Sequence, residues 1–283
     1  MNVSILIVTW NSAATIGACL TSLPERAEII VVDNASSDDT RERVLSARPS
    51  VTYIQAPTNL GFGAACNLAA RSATGDAYLL LNPDALLPEE AFKRLCDMLD
   101  AHATWGAIGP RLLDAEGGVE LSWGKAPSIL AERKRQAEHK GKLAPSYPTE
   151  RSMVDWVSGA CMLIRAAAWQ TVEGFDEGYF LYFEDVDLCR RLKAAGWDIV
   201  YDPDSEAHHL RGHSARQVAR QVEIWYRDGQ MRYYARHNAL HQRAALMLFL
   251  VGKYGIRALR GDEPARAILR SLWRGRALHA ISR

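Results

Sequence analysis

Hydrophobic positions along the first hundred residues switch between two periods. Val3–Thr9 is a bounded run rich in β-branched residues, and Ile16, Leu20 and Leu23 then recur at helical spacing. Ile29–Val32 is a second apolar run, followed by an acidic helix start at Ser37-Asp38-Asp39. Val51–Gln55 and Ala77–Leu81 predict strands, while Gly63–Ser72 and Pro88–Leu99 predict helices, the last with Pro and two Glu in its first turn. This order predicts an α/β fold, Rossmann-like, with a mostly parallel central sheet and helices on both faces. Such sheets bind ligands beyond the carboxyl ends of their strands. Here those ends read Thr9-Trp10-Asn11, Asp33-Asn34 and Asn82-Pro83-Asp84.

Between Trp123 and Arg151 the periodicity fails, and an irregular excursion of that length in a compact domain is more often functional than decorative. Order resumes with Val154–Ile164, a helix near Ala166–Val172, the Gly174–Phe183 stretch, a helix over Glu184–Ala195 and a strand at Asp198–Tyr201. The remainder reads as helical and arginine-studded. From Ser214 onward 14 Lys and Arg stand against 4 Asp and Glu, whereas the preceding residues carry 20 against 29. That shift divides the chain into a domain at 1–213 and a basic extension at 214–283.

The acidic body argues against nucleic acid as a partner. Five cysteines without a CxxC pair argue against a disulfide framework and for a reducing, cytoplasmic setting. The N-terminal stretch meets polar residues too soon for a signal peptide, and the apolar run Ala244–Val251 is far short of a membrane span.

Four places carry candidate chemistry. Asp33, at a strand end beside Asn34, is placed to accept hydrogen bonds from a nucleoside, although Asn34-Ala35-Ser36-Ser37 is also ordinary turn chemistry. Asn59-Leu60-Gly61-Phe62-Gly63 with Asn67 offers two close glycines at a helix start, fit either for a phosphate or for a plain turn. Asn82-Pro83-Asp84 presents a carboxylate from a rigid turn, as a diphosphate-bound divalent cation requires. Glu184-Asp185-Val186-Asp187 suits a helix N-terminus on charge alone, yet Asp185 shares a face with Leu188, Cys189 and Leu192. A carboxylate there needs a partner or a task, and the aromatics Tyr179, Phe180, Tyr182 and Phe183 shield it from water. His208, His209 and His213 read equally as metal ligands or as a solvated loop.

Taken in order, Val3–Asn11, Val31–Ser36, Asn59–Gly63, Leu81–Asp84 and Phe183–Leu188 resemble the motifs of the inverting family 2 glycosyltransferases, most closely a bacterial rhamnosyltransferase-like branch. The resemblance covers about residues 1–214 and implies a GT-A fold with a nucleotide-sugar half at 1–110 and an acceptor half at 111–213. It implies donor contacts from Thr9, Asn11, Asp33, Asn59, Gly61, Gly63, Asn67, Asn82 and Asp84, and acceptor contacts from Trp156, Gly159 and Glu184. Asp84 matches the last acid of the family's metal-binding D-x-D, Asn82 replacing the first. His209 matches a histidine that helps hold metal or diphosphate, with Gly212 and Ser214 completing its motif. Asp185 matches the general base. Implied with these are Mg²⁺ or Mn²⁺ as cofactor, a nucleoside diphosphate sugar donor (at its finest dTDP-rhamnose), a glycan or lipid-linked acceptor, and work in cell-surface polysaccharide synthesis.

Two other classes are weighed against this one. A sugar nucleotidyltransferase needs a glycine-rich basic loop near the N-terminus, and Ser12-Ala13-Ala14 supplies neither feature. A non-catalytic nucleotide-sugar-binding protein has no use for both Asp84 and Asp185. For the tail, its arginines beside Trp225, Tyr226, Tyr233, Tyr234 and Leu246–Leu250 predict either a membrane-surface helix at the inner face of the plasma membrane, or a helix docked on the body or in a homodimer.

Overall fold

The computed structural model describes residues 1–129, 148–210 and 219–281. The first half alternates β1 (Val3–Thr9), α1 (Ile16–Thr21), β2 (Glu28–Asp33), α2 (Thr40–Ala47), β3 (Thr52–Gln55), α3 (Phe62–Ala70) and β4 (Ala77–Leu81). Next come β5 (Ala85–Leu86), α4 (Glu89–Ala101), β6 (Trp105–Leu113), β7 (Val119–Glu120) and β8 (Trp123–Gly124). The second half holds β9 (Ser152–Met153), β10 (Trp156–Val157), β11 (Cys161–Arg165), α5 (Ala166–Thr171), α6 (Glu184–Ala194) and β12 (Asp198–His209). Helices α7 (Ala219–His237), α8 (Leu240–Leu259) and α9 (Glu263–Ile281) close the chain.

The main sheet runs β3-β2-β1-β4-β11-β6-β12-β5. Strands β3, β2, β1 and β4 are mutually parallel, and β6 and β12 run parallel to each other, while β11 and β5 lie antiparallel to their neighbours. The nearly continuous apolar strands predict this, because both faces are covered. Alternate residues divide cleanly. Ile5, Ile7, Val31, Leu79 and Leu81 pack under α1, α2 and α4, whereas Leu6, Val8, Ile30, Val32 and Leu80 pack under α3, α5 and α6.

Two strands depart from the sequence reading. β6 is absent from it, because Gly106, Gly109 and Pro110 read as breakers. In the fold those glycines admit neighbours: a Cβ on Gly106 would lie 2.6 Å from the Trp197 Cβ, and one on Gly109 would lie 2.8 Å from the Val157 Cβ. β12 continues past Tyr201 to His209, absorbing Pro203 in a register shift between Asp202 and Glu206. The Val154–Ile164 stretch is two strands, β10 and β11, with Ser158, Gly159 and Ala160 between them. Most of the irregular 123–151 excursion lies outside the described residues.

The tail docks on the body. Of the two placements the sequence left open, Tyr233, Tyr234, Leu246 and Leu250 take the docked one, buried with Tyr179, Phe183 and Val186 in a third apolar cluster. Asp176 pairs with Arg232 at 2.7 Å and with Arg236. Asp187, fully buried, takes His237 at 2.6 Å and Arg191 at 2.7 Å. Burial opposes its charge, but these partners win and hold its carboxyl below the usual range. No helix among the described residues is long and apolar enough to cross a membrane.

Candidate active site

Three strands end at one edge, and the side chains there are tied together. Asn34 N–H donates to the Thr9 carbonyl at 2.8 Å, joining β2 to β1. Asp33 is buried, its Oδ1 accepting from the Ser36 N–H at 2.7 Å and its Oδ2 from the Tyr53 hydroxyl at 2.6 Å. Asn11 sits in the left-handed region at φ 50° and accepts from the Ser37 N–H at 2.8 Å. The Thr9 hydroxyl oxygen is buried with no hydrogen-bond partner among the described residues. An orphaned polar atom at a strand end is what a site completed by a ligand leaves behind.

Asn59, Gly61, Gly63 and Asn67 build the neighbouring wall. Asn59 Oδ1 accepts from the Gly61 N–H at 3.0 Å, and Asn34 Nδ2 donates to the Gly61 carbonyl at 3.1 Å. Gly61, at φ 86°, brings the chain so close to the Phe180 carbonyl that any side chain would collide with it. A Cβ on Gly63 would stand 3.0 Å from the Phe175 Cβ. Asn67 grips Phe175 at both ends, donating to its carbonyl and accepting from its N–H, each at 2.9 Å. These residues therefore fix the 175–180 segment against the start of α3.

Beyond β4, Asn82, Asp84 and His209 converge. Antiparallel pairing of β12 with β5 sets His209 opposite Ala85, and alternation turns it inward while His208 stays exposed. His209 Nε2 lies 3.3 Å from Asp84 Oδ1 and 3.2 Å from Asn82 Nδ2. Its Nδ1 lies 2.9 Å from Oε2 of Glu120, a buried residue on β7 that the sequence reading passed over. Burial works against the charged ring, but the carboxylates of Asp84 and Glu120 outweigh it and push the imidazole up to about 9. Among the described residues no group of three or more His, Cys, Asp or Glu side chains is arranged to hold a metal ion. A carboxylate and an imidazole nitrogen do suit a divalent cation that takes its remaining ligands from phosphate and water. Gly212, His213 and Ser214 lie outside the described residues.

The acid pair occupies the other flank. The Asn82 N–H donates to the Ala160 carbonyl at 2.9 Å, so the segment before β11 abuts the end of β4. In that segment the Gly159 N–H donates to Asp185 Oδ2 at 3.1 Å, while Oδ1 caps the Val186 N–H at 2.8 Å. Asp185 is half-buried and Glu184 buried, and Glu184 Oε2 has no hydrogen-bond partner among the described residues. Burial pushes both carboxyls up, Glu184 well above its ordinary value under the added charge of Asp185, and Asp185 against the pull of its backbone donors. The helix start is reached through Tyr182 at φ 71° and Phe183 at φ 70°, two left-handed residues in succession. The tail braces this turn. Gly229 of α7 lies so close to the Tyr182 carbonyl that a side chain there would collide, and the Phe183 ring sits 5.1 Å from Tyr226 and 5.8 Å from Tyr233. Trp156 stands at the rim, half-buried, its indole N–H donating to the Lys125 carbonyl at 3.1 Å.

The family model described as Glycosyltransferase like family 2 matches residues 1–228. The chain belongs to this glycosyltransferase family. It is 31% identical over 288 residues to the N-acetylglucosaminyl-diphospho-decaprenol L-rhamnosyltransferase of Mycobacterium tuberculosis, covering 90% of this chain and 91% of that protein. It is 29% identical over 240 residues to the rhamnosyltransferase WbbL of Escherichia coli, covering 77% and 86%. Among solved structures, the Pyrobaculum calidifontis mannosyltransferase PcManGT, in complex with GDP-Man and Mn²⁺, matches with a TM-score of 0.60 at 21% identity, covering 98% of this chain and 80% of that one. S. aureus TarS 1-349 matches with a TM-score of 0.55 at 16% identity, covering 97% and 92%. The glycosyltransferase therefore has a GT-A fold carrying a helical C-terminal region, and its relatives favour neither nucleotidyl transfer nor a purely binding role.

Proposed function

We propose that this glycosyltransferase moves rhamnose, with inversion, from a dTDP carrier to a hydroxyl of a lipid-linked glycan in cell-surface polysaccharide synthesis. The observation that carries the reading is the pairing of two unlike clusters on one sheet edge: a desolvated carboxylate at Asp185, and the Asp84–His209 pair beside Asn82. The named relatives support the sugar and the lipid carrier, being rhamnosyltransferases, one of them for a decaprenol-linked substrate.

In this reading Thr9, Asn11 and Asp33 hold the nucleoside, and Tyr53 keeps the Asp33 carboxylate in place. Asn59, Gly61, Gly63 and Asn67 shape the wall along which the donor lies. Asn82, Asp84 and His209 face the diphosphate, and Asp84 and His209 would hold Mg²⁺ or Mn²⁺, which when bound would offset charge on the departing diphosphate. Trp156, Gly159 and Glu184 line the acceptor side. Asp185, oriented by the Gly159 and Val186 N–H groups, takes the proton from the acceptor hydroxyl. The oxygen attacks the anomeric carbon opposite the leaving diphosphate, so one displacement inverts configuration and no enzyme-linked sugar forms. The catalytic unit is residues 1–213, and 214–283 is its appendage, which meets a membrane surface. Five free cysteines, four of them buried, support a reducing, cytoplasmic compartment.

Calorimetric titration with a panel of nucleoside diphosphates, with and without Mn²⁺ or Mg²⁺, tests the donor half. Metal-dependent binding of dTDP that Asp84→Ala weakens by about tenfold or more is expected. A folded protein that binds no nucleotide contradicts the reading. Transfer from dTDP-rhamnose to polyprenyl-diphosphate N-acetylglucosamine tests the rest.

A further inference from the structure

Helix α8 has two unlike faces. Leu246, Leu250 and Tyr254 are buried in the cluster that joins tail to body. On the opposite side, every exposed position from 244 to 259 is uncharged: Ala244, Ala245, Leu248, Val251, Gly252, Ile256 and Leu259. Leu248 is 74% exposed, Ile256 58% and Leu259 90%. At the helical rise this stripe is about 22 Å long. Scattered exposed leucines mean little, but one continuous uncharged helix face in water calls for a cover.

The charged residues of the span do not interrupt it. Arg257 turns away to Glu223 and Asp262, and Lys253 lies over the Tyr254 ring at 5.2 Å. Cations stand at the ends instead. Arg243 precedes the stripe, Arg260 follows it, and Arg270 is exposed on α9. An apolar strip between basic ends, within a segment of 14 Lys and Arg against 4 Asp and Glu, matches the surface of an anionic bilayer. A second copy of the same face would set basic ends against basic ends. The helix is also mechanically tied to the acceptor side, because α7 lies between it and the 176–183 segment: Trp225 packs 4.6 Å from Phe180, and Tyr226 5.1 Å from Phe183.

We infer that the outer face of α8, centred on Leu248, Val251, Ile256 and Leu259, is a lipid-contact surface that seats the enzyme on an anionic membrane. This deepens the lipid-linked acceptor reading and rests on it for its purpose, though not for its test. The full chain is floated with phosphatidylcholine vesicles, with and without phosphatidylglycerol, alongside a Leu248→Asp/Leu259→Asp variant. Both residues are exposed, so the variant should keep the wild-type melting temperature and its transfer to a water-soluble acceptor. Wild type binds the anionic vesicles, salt weakens that binding, and the variant loses at least about tenfold. Equal vesicle binding by variant and wild type overturns the inference, as does absence of binding by either. A wild-type dimer that the variant converts to monomer overturns it too, by showing that a second copy covers the face. If transfer fails on every acceptor while vesicle binding behaves as expected, the transferase reading is wrong and the lipid surface stands.

Discussion

The two flanks of the sheet edge carry carboxylates in opposite electrostatic conditions. On the Asp84 flank, acids share an imidazole, and their charge pushes that ring up to about 9. On the Asp185 flank, two adjacent acids are desolvated, meet no cation among the described residues and are pushed up themselves. One flank brings opposite charges together, which in the proposed mechanism would serve the leaving diphosphate. The other raises the basicity of a carboxylate, which the proposed mechanism would use to take a proton from a hydroxyl. The same residue type serves both, and the difference lies wholly in its neighbours.

Removing the proposed base should give the largest effect. Asp185→Asn keeps the shape and one of the two backbone contacts to Gly159 and Val186, so turnover should fall by about 10²–10⁴ while calorimetric nucleotide binding is unchanged. A loss of both together would erase the division between the flanks. Next comes the support of His209. Glu120→Gln removes a charge from Nδ1, and Mn²⁺-dependent dTDP binding should weaken by about 10–100-fold with little change in metal-free binding. Unaltered metal dependence would reduce Glu120 to packing.

The smallest effect concerns stability. A carboxyl whose pKa rises on folding loses stability as pH climbs from the unfolded value through the folded one, by about 1.4 kcal/mol for each pH unit between them. Glu184→Gln abolishes that loss. The variant should melt close to wild type at about pH 4–5, near the unfolded carboxylate value, and above it in mildly alkaline buffer. Parallel melting curves across that window would mean that Glu184 is not desolvated as described.

Much of this contrast was legible in the chain. The strand-end residues Thr9, Asp33 and Asn82 follow from short apolar runs that stop abruptly, and the seat of Asp185 follows from its place on an apolar helix face. Glu120 did not show, because β7 is two residues long and its partner His209 lies 89 positions away, so no local period marks it. β6 was hidden by glycines that serve close packing, not turns. In the tail, periodicity revealed the amphipathic helices but could not say which face met the body. Tyr233 and Tyr234 went inward, and the outward side of α8 proved to be the one with Leu248 and Leu259.

The bracing of Tyr182 and Phe183 bears on modularity. The family match stops at residue 228, one position before the glycine that admits the Tyr182 carbonyl, and Tyr233 and His237 lie further on. Cutting the chain at the end of its recognisable domain would free the turn that aims Asp185. Grafting a relative's tail would do the same unless its glycine and tyrosine came in register. Body and tail therefore pack against each other at the turn before Asp185, and a change in either packing surface would have to be matched in the other.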